Sequence, residues 1–226
     1  MTDRIALYDM DRTITRTGTL SGFLIHVAVR RQRWRLFLLP LVALAGLGFV
    51  LRLVGRARLK EINLALLVGR RIDARALTPL INGFADRVAA RGVYAAALAQ
   101  IAADRAAGYR IVIATASFRL YVGAIADRLG VADVIATDLT PGTARLDGPN
   151  CYGGDKLMLI RRWLADQGLN PADCHVRAYS DHVSDAPMLD LADEAFATTP
   201  SPALRRLAAA SGWPVLDWRE RAKHIA

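Results

Sequence analysis

Asp9 and Asp11, held one residue apart in Asp9-Met10-Asp11-Arg12-Thr13, are the residues most able to do chemistry together. Like charges that close cannot share one proton affinity, so one carboxylate stays ionised while the other can hold a proton. Such a pair divides nucleophilic attack from proton transfer. Taken alone, it is equally compatible with a solvated turn, because aspartate favours turns. Further candidates follow in order: Thr115 in the stretch IVIATAS, Lys156 just after Gly153-Gly154, and Asp181 with Asp185 in YSDHVSD. Each has an ordinary reading as well. Thr115 is a β-branched strand residue, Lys156 a solvated lysine at a helix start, where it opposes the helix dipole, and Asp185 a cap for a helix begun at Pro187.

The elements that must position these residues alternate. Residues 4–9 read as a short buried strand that ends on Asp9. Residues 94–107 are helical in pattern and stop at Gly108, and residues 110–116 form the next strand. A helix over about 119–129, a strand within 131–139, a helix over 155–167 closed by Gly168, and strands at 176–180 and 195–199 complete the series. This order predicts an α/β fold with a parallel sheet and helices on both faces. It places every candidate at the C-terminal end of a strand or at a helix start, where open α/β sheets hold their sites. The first connection is a long insertion, residues 16–91, read as about four helices.

DMDRT, Thr115, Lys156 and the Asp181-x-x-x-Asp185 pair resemble the four ordered motifs of the haloacid dehalogenase superfamily. The helical insertion between the first and second motifs is similar to that of the phosphoserine-phosphatase-like branch, subfamily IB. The resemblance implies a Rossmann-like core of residues 1–15 and 92–226 carrying a C1-type helical cap, 16–91. It implies that Asp9 attacks phosphorus to form an aspartyl-phosphate, and that Asp11 protonates the leaving oxygen and then activates water. Mg²⁺ would be held by Asp9, the backbone carbonyl of Asp11 and Asp181, with Asp185 orienting a metal-bound water or Lys156; an all-oxygen site rich in water suits magnesium. Thr115 and the Ala116 amide would bind phosphoryl oxygens while Lys156 neutralises developing charge. The chain departs from the pattern at Arg12, where many members carry glycine. His26, His175, His182 and His224 have no role in it.

Ten cations and no acid occur from Arg12 to Lys60. Within that block residues 36–51, LFLLPLVALAGLGFVL, are uncharged, with Arg30, Arg31, Arg33 and Arg35 before them and Arg52, Arg56 and Arg58 after. As a straight helix the run reaches about 24 Å, short of the roughly 30 Å hydrocarbon core. A single crossing would also separate Asp9 from Thr115 and Asp181. Pro40, Gly46 and Gly48 suggest instead a bent or hairpin-like element that dips into one leaflet; the other reading is a fully buried helix pair. The arrangement resembles bacterial phosphatidylglycerophosphate phosphatases of this branch, which implies a lipid-anchored phosphomonoester at an anionic membrane surface.

Phosphoserine phosphatases place a cap carboxylate soon after the first motif; here no acid lies between Asp11 and Glu61. A soluble sugar or polyol phosphate is therefore the nearer alternative, ahead of phosphoserine or histidinol phosphate, and a phosphotransferase would use the same residues. Nucleic acid is not expected as a partner, because the arginines bracket an apolar run instead of interleaving with aromatics. Cys151 and Cys174 cannot build a disulfide framework. The first residues contain acids and no apolar leader, so a cytoplasmic location, peripheral or monotopic at the inner face of the cell membrane, is expected.

Overall fold

Ile5, Ala6, Leu7 and Tyr8 are all buried, the signature of a strand covered on both faces. The structure is a computed structural model that describes residues 3–219; His224 and the outermost ends of the expected core range lie outside the described residues. Six strands, β1 (Asp3–Tyr8), β2 (Arg110–Phe118), β3 (Asp133–Thr137), β4 (Cys174–Ser180), β5 (Glu194–Thr198) and β6 (Val215–Leu216), form one sheet in the order β3-β2-β1-β4-β5-β6. Every pairing is parallel. The expected α/β class is therefore what the chain adopts, with the short β6 as an additional edge strand.

Alternate side chains of β1 feed two cores. Ala6 and Tyr8 face one that includes Ile111, Ile113, Phe118 and the helical insertion. Ile5 and Leu7 face the other, with Val112, Ile160, Leu164 and Leu189. The chain builds outward from β1 to β3 on one side, then crosses to β4 on the other. The crevice where strand order reverses therefore opens above the C-terminal ends of β1 and β4.

Between β1 and β2 lie α1 (Thr19–Arg31), α2 (Leu39–Val50), α3 (Arg56–Leu67), α4 (Ala74–Arg87) and α5 (Ala95–Ala106). The chain leaves and re-enters the core side by side: Thr15 and Val93 form an antiparallel bridge, and Arg16 N donates to Gly92 O at 2.7 Å. α1 and α4 are packed down by Phe23, Leu77 and Phe84, with Phe23 stacked on Tyr121 at 4.4 Å. The remaining helices are α6 (Arg119–Arg128), α7 (Gly154–Asp166), α8 (Ala186–Leu191) and α9 (Pro202–Ser211).

α2 is different, because none of its twelve residues is buried. With the preceding 3-10 turn, Arg33–Leu38, it makes an 18-residue stretch long and apolar enough to cross a membrane. Phe37 is 85% exposed, Leu44 62% and Val50 74%. A buried helix pair is thus not what forms here. A hairpin-like element does form, but not at Pro40, which occupies the first turn of the helix, where a missing N–H costs nothing. The reversal comes later, where Leu53 N and Val54 N both donate to Gly48 O and Arg52 takes a positive φ, turning the chain back along α3.

Candidate active site

Asp9 follows the last residue of β1, and its N–H extends the ladder by donating to Tyr179 O at 3.0 Å. The next residues make a wide turn closed by Thr15 N donating to Met10 O. Within it Arg12 is left-handed, φ 64° and ψ −2°. That conformation costs a non-glycine residue roughly 1–2 kcal/mol, which gives a physical meaning to the arginine standing where the resemblance expects glycine. Thr13 ties the turn to β4: Asp181 N donates to Thr13 Oγ1 at 2.9 Å.

Asp11 has hydrogen-bond partners of its own, apart from the Asp9–Lys156 pair. Its Oδ1 accepts from Thr19 N at 2.7 Å, at the start of α1, and its Oδ2 from Ser117 Oγ at 2.6 Å. Thr19 Oγ1 in turn lies 3.0 Å from Tyr121 Oη. The second carboxylate is thus aimed by the insertion on one side and by the end of β2 on the other.

Lys156 is buried at the start of α7, just after Gly153, whose φ of 59° is tolerable only because it is glycine. Its Nζ donates to Asp9 Oδ1 and to Asp185 Oδ2, each at 2.8 Å. Asp185 Oδ2 also accepts from Ser180 Oγ at 2.7 Å, so its side chain is engaged in the site and makes no helix-cap bond. A solvated Lys156 is overturned by this geometry, while Asp185 keeps the N-cap position of α8 without a side-chain cap bond.

Three carboxylates and one lysine without solvent are an unfavourable charge set. Burial, opposed by Lys156 and reinforced by Asp185 and Asp181, pushes the Asp9 carboxyl up to about 8. Burial together with Asp185 pushes Asp181 up to about 6, against the pull of Arg12 and Thr13. Burial works against the Lys156 charge, but Asp185 and Asp9 outweigh it and hold the ammonium well above its ordinary range. Asp185 Oδ1 is buried with no hydrogen-bond partner. Surplus negative charge and an orphaned oxygen are what a bound cation relieves. Among the described residues no group of three or more His, Cys, Asp or Glu side chains is arranged to hold a metal ion. A cation at Asp9 and Asp181 would therefore complete its shell with a carbonyl, water and substrate oxygens, a donor set that fits Mg²⁺.

Thr115 is fully buried, and its Oγ1 accepts from Ser117 N at 3.1 Å where β2 becomes irregular before Phe118. The structure brings Asp9, Asp11, Thr115, Ala116, Lys156, Asp181 and Asp185 to one cleft of about 350 Å³, with Arg12 on its wall. Residues 6–190 match the model of the haloacid dehalogenase-like hydrolases. The chain belongs to that family.

A probable phosphatase of Mycobacterium tuberculosis (strain H37Rv) is 32% identical over 149 residues, 65% of this chain and 51% of the relative. A phosphoserine phosphatase of the same organism is 36% identical over 117 residues, 50% of this chain and 37% of the relative. The chain spans about half the length of the first of these curated relatives. Among solved structures, a protein of unknown function from Bordetella pertussis Tohama I superposes with a TM-score of 0.88 at 26% identity, covering 96% of this chain and 100% of the other. A substrate-bound phosphoserine phosphatase superposes with a TM-score of 0.64 at 18% identity over the full length of both, which shows the shared haloacid dehalogenase fold.

Several cleft residues were not legible in the motifs. Arg56, from α3, and Tyr152 line the cleft, as does His182, which the sequence left without a role. His182 Nδ1 lies 3.2 Å from Ser184 N, a bond that fixes its ring beside Asp181. Lys60 is the least expected. It ends the basic block and lies behind the cleft wall, yet it is buried and donates to Ala116 O and Asn150 Oδ1, bracing the end of β2 that carries Ala116. Burial lowers its ammonium to about 8 from an ordinary 10.5. Below pH 8 Lys60 is charged in both folded and unfolded chains, and its desolvation cost is fully present. Between pH 8 and 10.5 only the unfolded chain holds the proton, so stability rises with pH. The melting temperature of the wild type relative to Lys60→Met is expected to climb across that window in thermal scans with chelator. A flat difference would show that the buried ammonium carries no such cost.

Proposed function

We propose that the chain is a Mg²⁺-dependent phosphomonoesterase that works through an aspartyl-phosphate on Asp9, at the cytoplasmic face of a membrane, with phosphatidylglycerophosphate as the leading substrate. The observation that carries the chemistry is the Asp9–Lys156–Asp185 ion-pair set beside a separately held Asp11. Asp9 attacks phosphorus in line; the bond from phosphorus to the leaving oxygen breaks as the bond to Asp9 forms. Asp11 gives its proton to the leaving oxygen, then takes one from the water that cleaves the phospho-aspartate. Ser117 Oγ can serve both states, because it donates to the ionised Asp11 and lies 3.3 Å from Thr19 Oγ1, toward which its proton can turn when Asp11 is protonated. Lys156 holds Asp9 in place and offsets charge on the transferring group. Asp9, the Asp11 carbonyl and Asp181 would hold magnesium, whose positive charge would keep Asp9 ionised at neutral pH.

The cap of residues 16–91 supports the membrane half of this reading. α2 exposes an apolar surface with arginines at both ends and packs against α3, whose first residue lines the cleft. An apolar helix flanked by cations suits one leaflet of an anionic bilayer. Likeness to phosphoserine phosphatases favours a soluble ester as second reading, although no cap acid precedes Glu61 to meet an amino group.

Phosphate release should be measured with Mg²⁺ and with chelator on phosphatidylglycerophosphate in detergent, phosphoserine, histidinol phosphate and sugar phosphates. Preference for the lipid is expected. Release to water, with no phosphoryl transfer to added alcohols, distinguishes hydrolase from phosphotransferase. In parallel, wild-type protein is expected to sediment with phosphatidylglycerol vesicles and Leu44→Asp to stay in solution. Equal partitioning of the two would remove the membrane from the proposal and leave a soluble ester as substrate.

A further inference from the structure

The cleft holds three cations at its surface, and they are not equivalent. Lys156 is spent on Asp9 and Asp185. Arg12 and Arg56 line the same cleft, and among the described residues neither guanidinium is ion-paired. Each is held in place at a local cost. Arg12 takes a left-handed backbone conformation that glycine would adopt freely. Arg56 is the first residue of α3, where the helix dipole disfavours a cation, and Gly55 before it offers no side-chain cap. The Arg56 guanidinium stacks over the Tyr152 ring at 4.1 Å and stands 5.4 Å from Phe49 of α2. Held over that ring and making no side-chain hydrogen bond among the described residues, the guanidinium has N–H groups free for an anion.

We propose that Arg12 and Arg56 form a second anion subsite beside the phosphoryl site, and that the substrate carries a second phosphate group a few bonds from the one transferred. The subsite rests on the phosphomonoesterase reading and sharpens it to substrates with two phosphates. Arg56 bridges Tyr152 in the core and Phe49 in the apolar helix, so the second phosphate sits between the reacting centre and α2. A lipid phosphodiester and a soluble bisphosphate share that chemistry.

The test compares kcat/KM for phosphate release from glycerol 3-phosphate, from glycerophosphoglycerophosphate, which adds a diester, and from fructose 1,6-bisphosphate, in wild type, Arg56→Gln and Arg12→Gly. Both variants are expected to fold, since Arg56 is exposed and glycine suits position 12. The ratio of two-phosphate to one-phosphate kcat/KM is expected to fall roughly tenfold for each arginine removed, the worth of a charge-assisted contact. A fall confined to the diester probe assigns the lipid source; one confined to the bisphosphate assigns the soluble source. Equal losses on all three probes overturn the subsite. Calorimetric binding of glycerophosphoglycerol, which has the diester and no transferable phosphate, gives a readout independent of turnover. Tenfold weaker binding to Arg56→Gln upholds the subsite even if no probe is hydrolysed, and unchanged binding overturns it even if all are.

Discussion

Asp9→Asn is expected to lose phosphate release by at least about a thousandfold and, in chelator, to melt at a higher temperature than the wild type. The first effect follows from removing the attacking oxygen. The second follows from the crowded charges. Burial, Asp185 and Asp181 push the folded-state Asp9 carboxyl up to about 8 from an ordinary 3.8, and Lys156 only partly offsets them. Below pH 4 the group is protonated in both folded and unfolded chains, and no penalty exists. Between pH 4 and 8 the unfolded chain ionises while the folded one holds its proton, so wild-type stability falls as pH rises. Asparagine has no such slope and still leaves Lys156 paired with Asp185 at 2.8 Å. The gap in favour of the variant should open above pH 4 and widen to pH 8, each kcal/mol shifting the melting point by about 2–4 °C. Mg²⁺ should narrow it by stabilising only the protein that has the carboxylate. A variant less stable than wild type at every pH would show that Asp9 is not held under electrostatic strain.

The core was legible because its signals are local and redundant. Residues 4–9 are short, apolar and end in an acid, and glycines close the helices, so β1, β2 and α7 fall within about two residues of expectation. The site was legible because parallel strands deliver their ends to one edge. Asp9, Thr115 and Asp181 are distant in sequence and adjacent by topology. Lys60 was not legible: in a block of ten cations nothing local distinguishes the one that turns inward, since its burial depends on where the insertion docks. Asp11's partners Thr19 and Ser117 were hidden for the same reason, one lying in the insertion and the other in the irregular last residues of β2. The apolar run was legible as unusual, but composition does not say whether it is covered. The structure leaves α2 without a buried residue and makes the hairpin-like reversal after Val50, closed on Gly48 O and beyond Pro40 and Gly46.

Lys156→Met tests the same charge set from the other side, and its effect on stability is expected to be the largest of any single change in the cleft. The Nζ is the only cation bonded to the buried Asp9 and Asp185 carboxylates among the described residues, at 2.8 Å to each. Methionine keeps the volume and removes the charge. Breaking a buried pair from one side costs about 3–5 kcal/mol, because the partner is left as an uncompensated charge. Lysine's contribution is fully present below its ordinary 10.5 and is lost only as pH rises through its still higher folded value, so it is intact in neutral solution. The variant's deficit should instead shrink as pH falls through about 8, where the Asp9 carboxyl takes up its proton. Arginine at 156 is not expected to restore stability or turnover, since the site is closed around a compact ammonium. The decisive measurement is denaturant unfolding of Lys156→Met, Asp9→Asn and the double variant. If Lys156 exists to hold Asp9 and Asp185 together, the double variant regains part of what Lys156→Met loses, since only one unpaired carboxylate remains. Strict additivity would mean that the three groups do not share one electrostatic balance, and the assignment of Lys156 as the counter-charge of the nucleophile would fall.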